Sequence, residues 1–337
     1  MIEKWYRANG GQPDEIRRPP GMAARARVPK PSEYIPDEGL ENAVNVALIL
    51  NQPLLLTGEP GTGKTELARS VAWQLRLGDP LKFKTKSNST AQELFYTYDA
   101  LGRFRAVAGE AEPIRFIRFN ALGLAILRTR EPDDVRDLVP PGELHEKPMR
   151  SVILIDEVDK APRDFPNDLL NELEENSFNV PELHNRELAY DRRFPPIVII
   201  TSNSERDLPD AFLRRCVYYN VPFPTPERLR AIVTSRLGEF AGPGSEFLTD
   251  ALDIFDRLRR AGNAMRKIPA TAEFLSWIAA MRESERDADN PLAVNPELAL
   301  QTLSIIVKTA DDQDRAAKIL GDWVAAKKAT MASPKAG

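Results

Sequence analysis

Gly58-Glu59-Pro60-Gly61-Thr62-Gly63-Lys64-Thr65 spells G-x-x-x-x-G-K-[ST]. Residues of these types in this order suit one task, holding a chain of phosphates. Glycines let successive backbone N–H groups turn inward around a β-phosphate, and the N-terminus of a following helix adds a positive dipole end. Lys64 would bridge the β- and γ-phosphates, and the Thr65 hydroxyl would hold Mg2+. The candidate nucleotide contacts therefore run from Gly58 through Glu66, in the first helical turn.

Further along, Val152-Ile153-Leu154-Ile155-Asp156-Glu157 is an apolar run ending in two adjacent carboxylates. Neighbours on a strand point to opposite faces, so the two acids can do different work. Asp156 would complete the Mg2+ shell through water; Glu157 would take a proton from the attacking water, or orient it. Two acids opening a surface turn is the plainer reading. The phosphate loop upstream favours the chemical one.

These groups need a rigid frame. Pro53–Thr57 is a short apolar run before the glycine turn, and Leu67, Ala68, Val71, Ala72 and Leu75 give a helix stripe after it. Another helix begins near Asp37, with Leu40, Val44, Ala47 and Leu48 in phase. Strand-like runs recur at 151–155, 197–201 and 217–221, and residues 81–86 supply a fifth. Unalternating β-branched runs separated by helices predict an α/β fold with a five-stranded parallel sheet covered on both faces. From about Thr225 to Ala329 only helical stripes remain, which predicts a helical second domain. Residues 1–33, rich in Pro, Gly and Arg over 10–38, predict an extended arm, and residues 330–337 a frayed tail.

Composition narrows the function. The chain has 337 residues, 42% hydrophobic and 28% charged, enough to bury a core in one or two domains. Its net charge of −4 leaves no positive coat for duplex nucleic acid. One cysteine, Cys216, excludes an internal disulfide, and His145 and His184 cannot by themselves build a histidine-rich metal site. No apolar run approaches a membrane span, and Met1–Gly21 has no signal-like core. The expected compartment is the cytoplasm, with the thiol reduced.

The chain resembles the AAA+ ATPases, and within them the MoxR-like branch, over about residues 34–325. The resemblance rests on the phosphate loop and on Ile155-Asp156-Glu157-Val158-Asp159-Lys160-Ala161 leading into Asn167–Glu174. It continues through Ile200-Thr201-Ser202-Asn203, Leu208–Cys216 and Val221-Pro222-Phe223-Pro224. It implies ATP and Mg2+ as cofactors, an α/β core over 34–223 and a helical lid over 224–329. It makes Asn203 a sensor of the attacking water. Arg215 becomes an arginine finger for the neighbouring subunit's γ-phosphate, with Arg214 as the alternative. Tyr34-Ile35-Pro36 resembles the segment that packs on adenine. One position departs from the pattern: where the lid helix of relatives opens with an arginine, this chain has Ala270, leaving Arg266 or Lys267 as substitutes.

The resemblance also implies a homo-oligomeric ring, of six subunits, that remodels a protein substrate. Partners carrying a von Willebrand A domain are common for this branch. A nucleic-acid ring motor and a nucleotide-gated scaffold with little turnover are the rival readings. Residues 87–150 are too long for an ordinary connection. Thr90–Phe95 reads as helix, and Tyr96–Val107 as a β-hairpin turning at Asp99–Gly102, the family's insert. Residues 177–193 resemble a second hairpin. Arg103, Arg105, Arg115 and Arg118, interleaved with Phe104, Phe116 and Phe119, could grip nucleic acid or an acidic partner; solvated strand faces with the aromatics packed inward explain them more simply.

Overall fold

Strands without alternation are apolar because both faces are buried. The structure, a computed structural model, describes residues 30–106, 112–175, 177–204, 206–238, 244–260, 265–285 and 287–332. Asp37 accepts from the Leu40 N–H at 2.9 Å and so opens helix α1 (Glu38–Leu50). Strand β1 (Leu54–Thr57), helix α2 (Lys64–Gln74) and strand β2 (Leu81–Lys84) follow. Then come β3 (Tyr96–Tyr98), α3 (Ala100–Arg105), β4 (Ile117–Phe119), α4 (Ala121–Arg128) and α5 (Pro132–Val135). Strand β5 (Val152–Asp156), α6 (Phe165–Glu175), β6 (Ser177–Val180), β7 (Arg186–Ala189), β8 (Ile197–Thr201), α7 (Asp210–Leu213) and β9 (Val217–Asn220) complete this part.

Five of these strands form one parallel sheet in the order β2-β5-β8-β1-β9. Period-2 geometry divides the buried side chains between two layers. Leu55, Ile153, Ile155, Val198 and Ile200 pack with Leu122, Ala125 and Ile126 of α4 and Leu169 and Leu170 of α6. Leu54, Leu56, Val152, Leu154, Ile197 and Ile199 pack with Leu40 and Ala47 of α1 and Leu67, Ala68 and Val71 of α2. The predicted five-stranded α/β sheet, covered on both faces, is the observed one.

By contact the chain divides into two units. One holds Lys30–Glu59 and Gly63–Phe223, and the other contains Pro60–Thr62 and the chain from Pro224 onward. The described part beyond Pro224 is helical: α8 (Pro226–Leu237), α9 (Glu246–Arg260), α10 (Thr271–Ser284), α11 (Pro291–Val294), α12 (Leu298–Gln301), α13 (Leu303–Ile306) and α14 (Ala310–Ala332). Phe255 stacks on Phe274 with centroids 4.2 Å apart, and the buried Trp277 indole donates to Thr302 Oγ1 at 2.7 Å.

Four expectations need correction. Tyr96–Val107 is not a hairpin. Strand β3 pairs antiparallel with β4, Tyr96 opposite Phe119, and residues 100–105 between them are helical. The cause is local: Asp99 accepts from the Gly102 N–H at 2.8 Å and caps α3, so the residues expected to turn start a helix instead. Val107 itself lies outside the described residues. Phe104 is not packed inward but 88% exposed on α3, whereas Phe119 is buried against Phe178. Residues Pro31–Glu33, assigned to the arm, form a short 3-10 turn; the rest of the arm is outside the described residues except Lys30. Helix α14 runs to Ala332, past the expected start of the tail, and 333–337 are outside the described residues. The strands at 177–180 and 186–189 pair antiparallel. His145 lies with Nε2 2.8 Å from the Arg130 carbonyl oxygen.

Candidate active site

The glycine turn sits at the C-terminal end of β1, the strand between β8 and β9. Gly58 takes φ +132°, and a Cβ there would fall 2.5 Å from the Val221 carbonyl oxygen, so this step of the loop admits only glycine. Gly63 is left-handed and opens α2. The side chain of Lys64 folds back, and Nζ donates to the carbonyls of Gly58 at 2.7 Å and Glu59 at 2.9 Å. Burial lowers the Lys64 pKa, against the pull of Asp159, Asp156, Glu157 and Glu59. Pro60, Gly61 and Thr62 complete the loop, with Gly61 at φ +78°. Glu66 stands in the first turn of α2, 3.8 Å from Arg69 Nη1.

The acidic strand end lies directly across from this loop. Asp156 Oδ1 accepts from Thr65 Oγ1 at 3.1 Å and from Thr201 Oγ1 at 2.7 Å, while its Oδ2 pairs with Lys82 Nζ at 2.7 Å. Burial alone would raise the Asp156 pKa. Lys82, Thr201 and Thr65 outweigh it and hold the carboxyl below its ordinary range, hence ionised.

Glu157 turns away from its neighbour because its backbone is left-handed, φ 61° and ψ 51°. Its N–H donates to Thr201 Oγ1 at 2.9 Å, so one threonine hydroxyl fixes both acids. The carboxylate meets Lys160 Nζ at 2.8 Å, Asn203 Nδ2 at 3.5 Å and Lys84 Nζ at 4.0 Å. Oε2 is buried with no hydrogen-bond partner, an acceptor held in reserve. The Asn203 N–H donates to the buried Asp159 at 3.2 Å, which sets the amide beside Glu157.

Lys64, Thr65, Asp156, Glu157 and Asn203 are thus brought together. Tyr34 lies beside the loop: a Cβ at Gly63 would come 3.3 Å from its ring. Ile35 is 45% exposed. Arg214 and Arg215 follow α7, and Arg215 reaches Asn171 Oδ1 at 3.4 Å and Glu174 Oε1 at 3.5 Å on α6 of its own chain. The Arg266 and Lys267 N–H groups donate to the buried Asp312 at 2.8 and 3.0 Å, and the Arg266 guanidinium is exposed near Asp311.

Sequence reasoning missed Thr201, Asp159, Lys82 and Lys84. The lysines had a signal, since Leu81-Lys82-Phe83-Lys84 alternates and puts both on one face of β2. The register Lys84 opposite Asp156 then brings them to the acids.

The donor set fits Mg2+. A hydroxyl and a carboxylate oxygen, both hard, converge across from the loop, and Lys82 shows that a cation is accommodated at Asp156. Among the described residues no three His, Cys, Asp or Glu cluster as a self-sufficient metal site. Mg2+ keeps waters and substrate phosphates and does not require one.

Residues 53–216 match the family model described as AAA domain, dynein-related subfamily. No curated protein matches the chain in sequence. Solved structures that match include a proline-to-glycine mutant of Thermotoga maritima RuvB, 14% identical, TM-score 0.45, covering 85% of this chain and 75% of that one. A threonine-to-valine mutant of the same protein matches at 14% identity and TM-score 0.39, covering 82% and 70%. The Thermotoga maritima RuvB Holliday junction branch migration motor matches at 16% identity and TM-score 0.41, again over 82% and 70%. No helix among the described residues is long and apolar enough to cross a membrane.

Proposed function

We propose, from the match of residues 53–216 to the AAA domain model of the dynein-related subfamily, that this chain is a Mg2+-dependent ATP hydrolase of the MoxR-like type. It works in a homo-oligomeric ring, of six subunits, to remodel or activate a partner protein. The observation that carries the reading is one hydroxyl, Thr201 Oγ1, which donates to Asp156 and accepts from the Glu157 N–H, holding one acid against Thr65 of the loop and the other beside Asn203. Such an arrangement separates metal holding from proton handling.

Mg2+ bound by Thr65 and Asp156 would neutralise charge on the phosphates. Lys64, now occupied with loop carbonyls, would turn to the phosphates, and the N–H groups of the loop would ring them. Glu157 accepts the water proton at its carboxylate, and the Asn203 amide places that water without competing for the proton. Arg215, or failing it Arg214, serves the site of the adjoining subunit. The cytoplasm and a partner with a von Willebrand A domain belong to the same reading.

Glu157→Gln tests it. The amide keeps the shape and cannot take the proton, so the variant should bind ATP as wild type does and turn it over ~10²–10⁴-fold more slowly. Turnover within a few-fold of wild type would move the base to another residue.

A further inference from the structure

A second cleft lies along β2, the edge strand of the sheet, which among the described residues pairs with β5 alone. It encloses about 410 Å3, and all four residues Leu81–Lys84 line it. Its charged walls are Lys82, Lys84, Lys86 and Arg118 against one carboxylate, Glu93. That carboxylate is partly engaged, since its Oε2 accepts from the Thr90 N–H at 3.4 Å. Lys82 and Lys84 also face Asp156 and Glu157, so in a chain of net charge −4 the local excess of positive charge falls on Lys86 and Arg118.

We propose that this cleft docks an acidic, extended peptide segment of a partner protein. Lys82, which also pairs with Asp156, then links the docked segment to the metal-holding carboxylate. A strand edge supplies backbone donors and acceptors to an extended peptide, and alternate side chains of that peptide would meet the lysines. Phosphate-backbone ligands would satisfy the charges but gain nothing from the strand edge. Lys82 Nζ is 2.7 Å from Asp156 Oδ2 and half-exposed, so it can move to an acid in the cleft without crossing the core. An acid that draws Lys82 away leaves Asp156 free for Mg2+. Acidic peptide and Mg2+–nucleotide therefore help one another to bind, by equal factors. The docking step stands on the cleft alone; the Mg2+ link rests on the reading of Asp156 proposed above.

The experiment uses the full chain and a short fluorescein-labelled Glu-rich peptide, its Gln counterpart, and a thymidine oligonucleotide of the same net charge. Fluorescence anisotropy without nucleotide should show the acidic peptide binding, more weakly as salt rises, and ahead of both controls. Lys86→Glu and Arg118→Glu should each weaken it about fivefold, the size of an exposed ion pair turned repulsive. Should a reversal fold poorly, Lys86→Gln and Arg118→Gln carry the same test with a smaller loss. Equal binding of the Gln peptide, indifference to these substitutions, or preference for the oligonucleotide overturns the assignment. Peptide should then lower the Mg2+ concentration that half-saturates binding of a fluorescent ATP analogue, and in Lys82→Met this shift should vanish. An unmoved Mg2+ midpoint overturns the Lys82 link. Failure of nucleotide to bind at all would overturn the ATPase reading and leave the anisotropy result standing.

Discussion

In the proposed ATPase, nucleotide binding turns on Lys64. Burial lowers the pKa of its ammonium while Asp159, Asp156, Glu157 and Glu59 pull it back up, so its charge sits where water screens poorly. Lys64→Ala removes it and should abolish ATP binding in a calorimetric titration; unchanged affinity would sink the phosphate-loop assignment. Cys216 behaves in the opposite sense. Burial pushes its thiol up to about 12 from an ordinary value of 9.0. The folded chain keeps this proton where the unfolded chain has lost it, so the unfolded state binds fewer protons and stability falls as pH rises. The loss should begin near pH 9 and run towards about 12, and Cys216→Ala should lessen the drop in urea midpoint across that window. A slope equal to wild type would show that the thiol does not ionise late. The same burial should leave Cys216 slow to alkylate at neutral pH.

Among the elements, α4 packs against the backbone of Phe95 through a single small residue, Gly123. A Cβ on Gly123 would fall 2.1 Å from the carbonyl oxygen of Phe95, backbone against helix with no flexible atom to yield. Alanine is the better helix former by roughly 1 kcal/mol, but forcing α4 off this contact costs about 1–3 kcal/mol. Gly123→Ala should therefore lower the urea midpoint; a rise would mean that α4 shifts freely. Such close approaches are invisible in the sequence, where Gly123 reads as a weak helix residue. The sheet was legible because runs such as Ile197–Thr201 are too apolar to lie anywhere but inside. The meeting of the loop with the acidic pair was legible because each is written in adjacent residues at the end of an apolar run. The alternation in Leu81–Lys84 marks a lysine face, but the register that brings Lys82 to Asp156 and the turn that brings Asp159 to Asn203 leave no local pattern. The turn at Asp99–Gly102 misled because an aspartate before a small residue caps a helix as readily as it closes a hairpin.

Assembly belongs to the whole molecule. Arg215 is 46% exposed and only loosely engaged by Asn171 and Glu174, so a guanidinium fork is available at the surface for a phosphate on another copy. Fingers of this kind are worth ~10³–10⁵ in rate. Arg215→Ala should nearly silence hydrolysis and leave nucleotide affinity intact. Mixing Arg215→Ala with Lys64→Ala chains should restore turnover, in proportion to protein concentration, because some interfaces then join an intact loop to an intact arginine. If mixed rings form by native mass spectrometry and activity stays absent, Arg215 does not act in trans, and Arg214 takes the same test.

The position of β1 inside the sheet has a further consequence, for synthesis. Leu54 pairs with Ile199 on one side and Val217 on the other, so the strand that carries the phosphate loop is made early and finds its neighbours late. At ~5–20 residues per second the ribosome leaves it waiting on the order of ten seconds. During that interval Leu54-Leu55-Leu56 has two open edges and no sheet, a short sticky segment of the emerging chain. The nucleotide loop can take shape only after the chain through Asn220 has left the tunnel. A ribosome stalled before residue 197 would therefore present the cell with an aggregation-prone fragment and no ATP site.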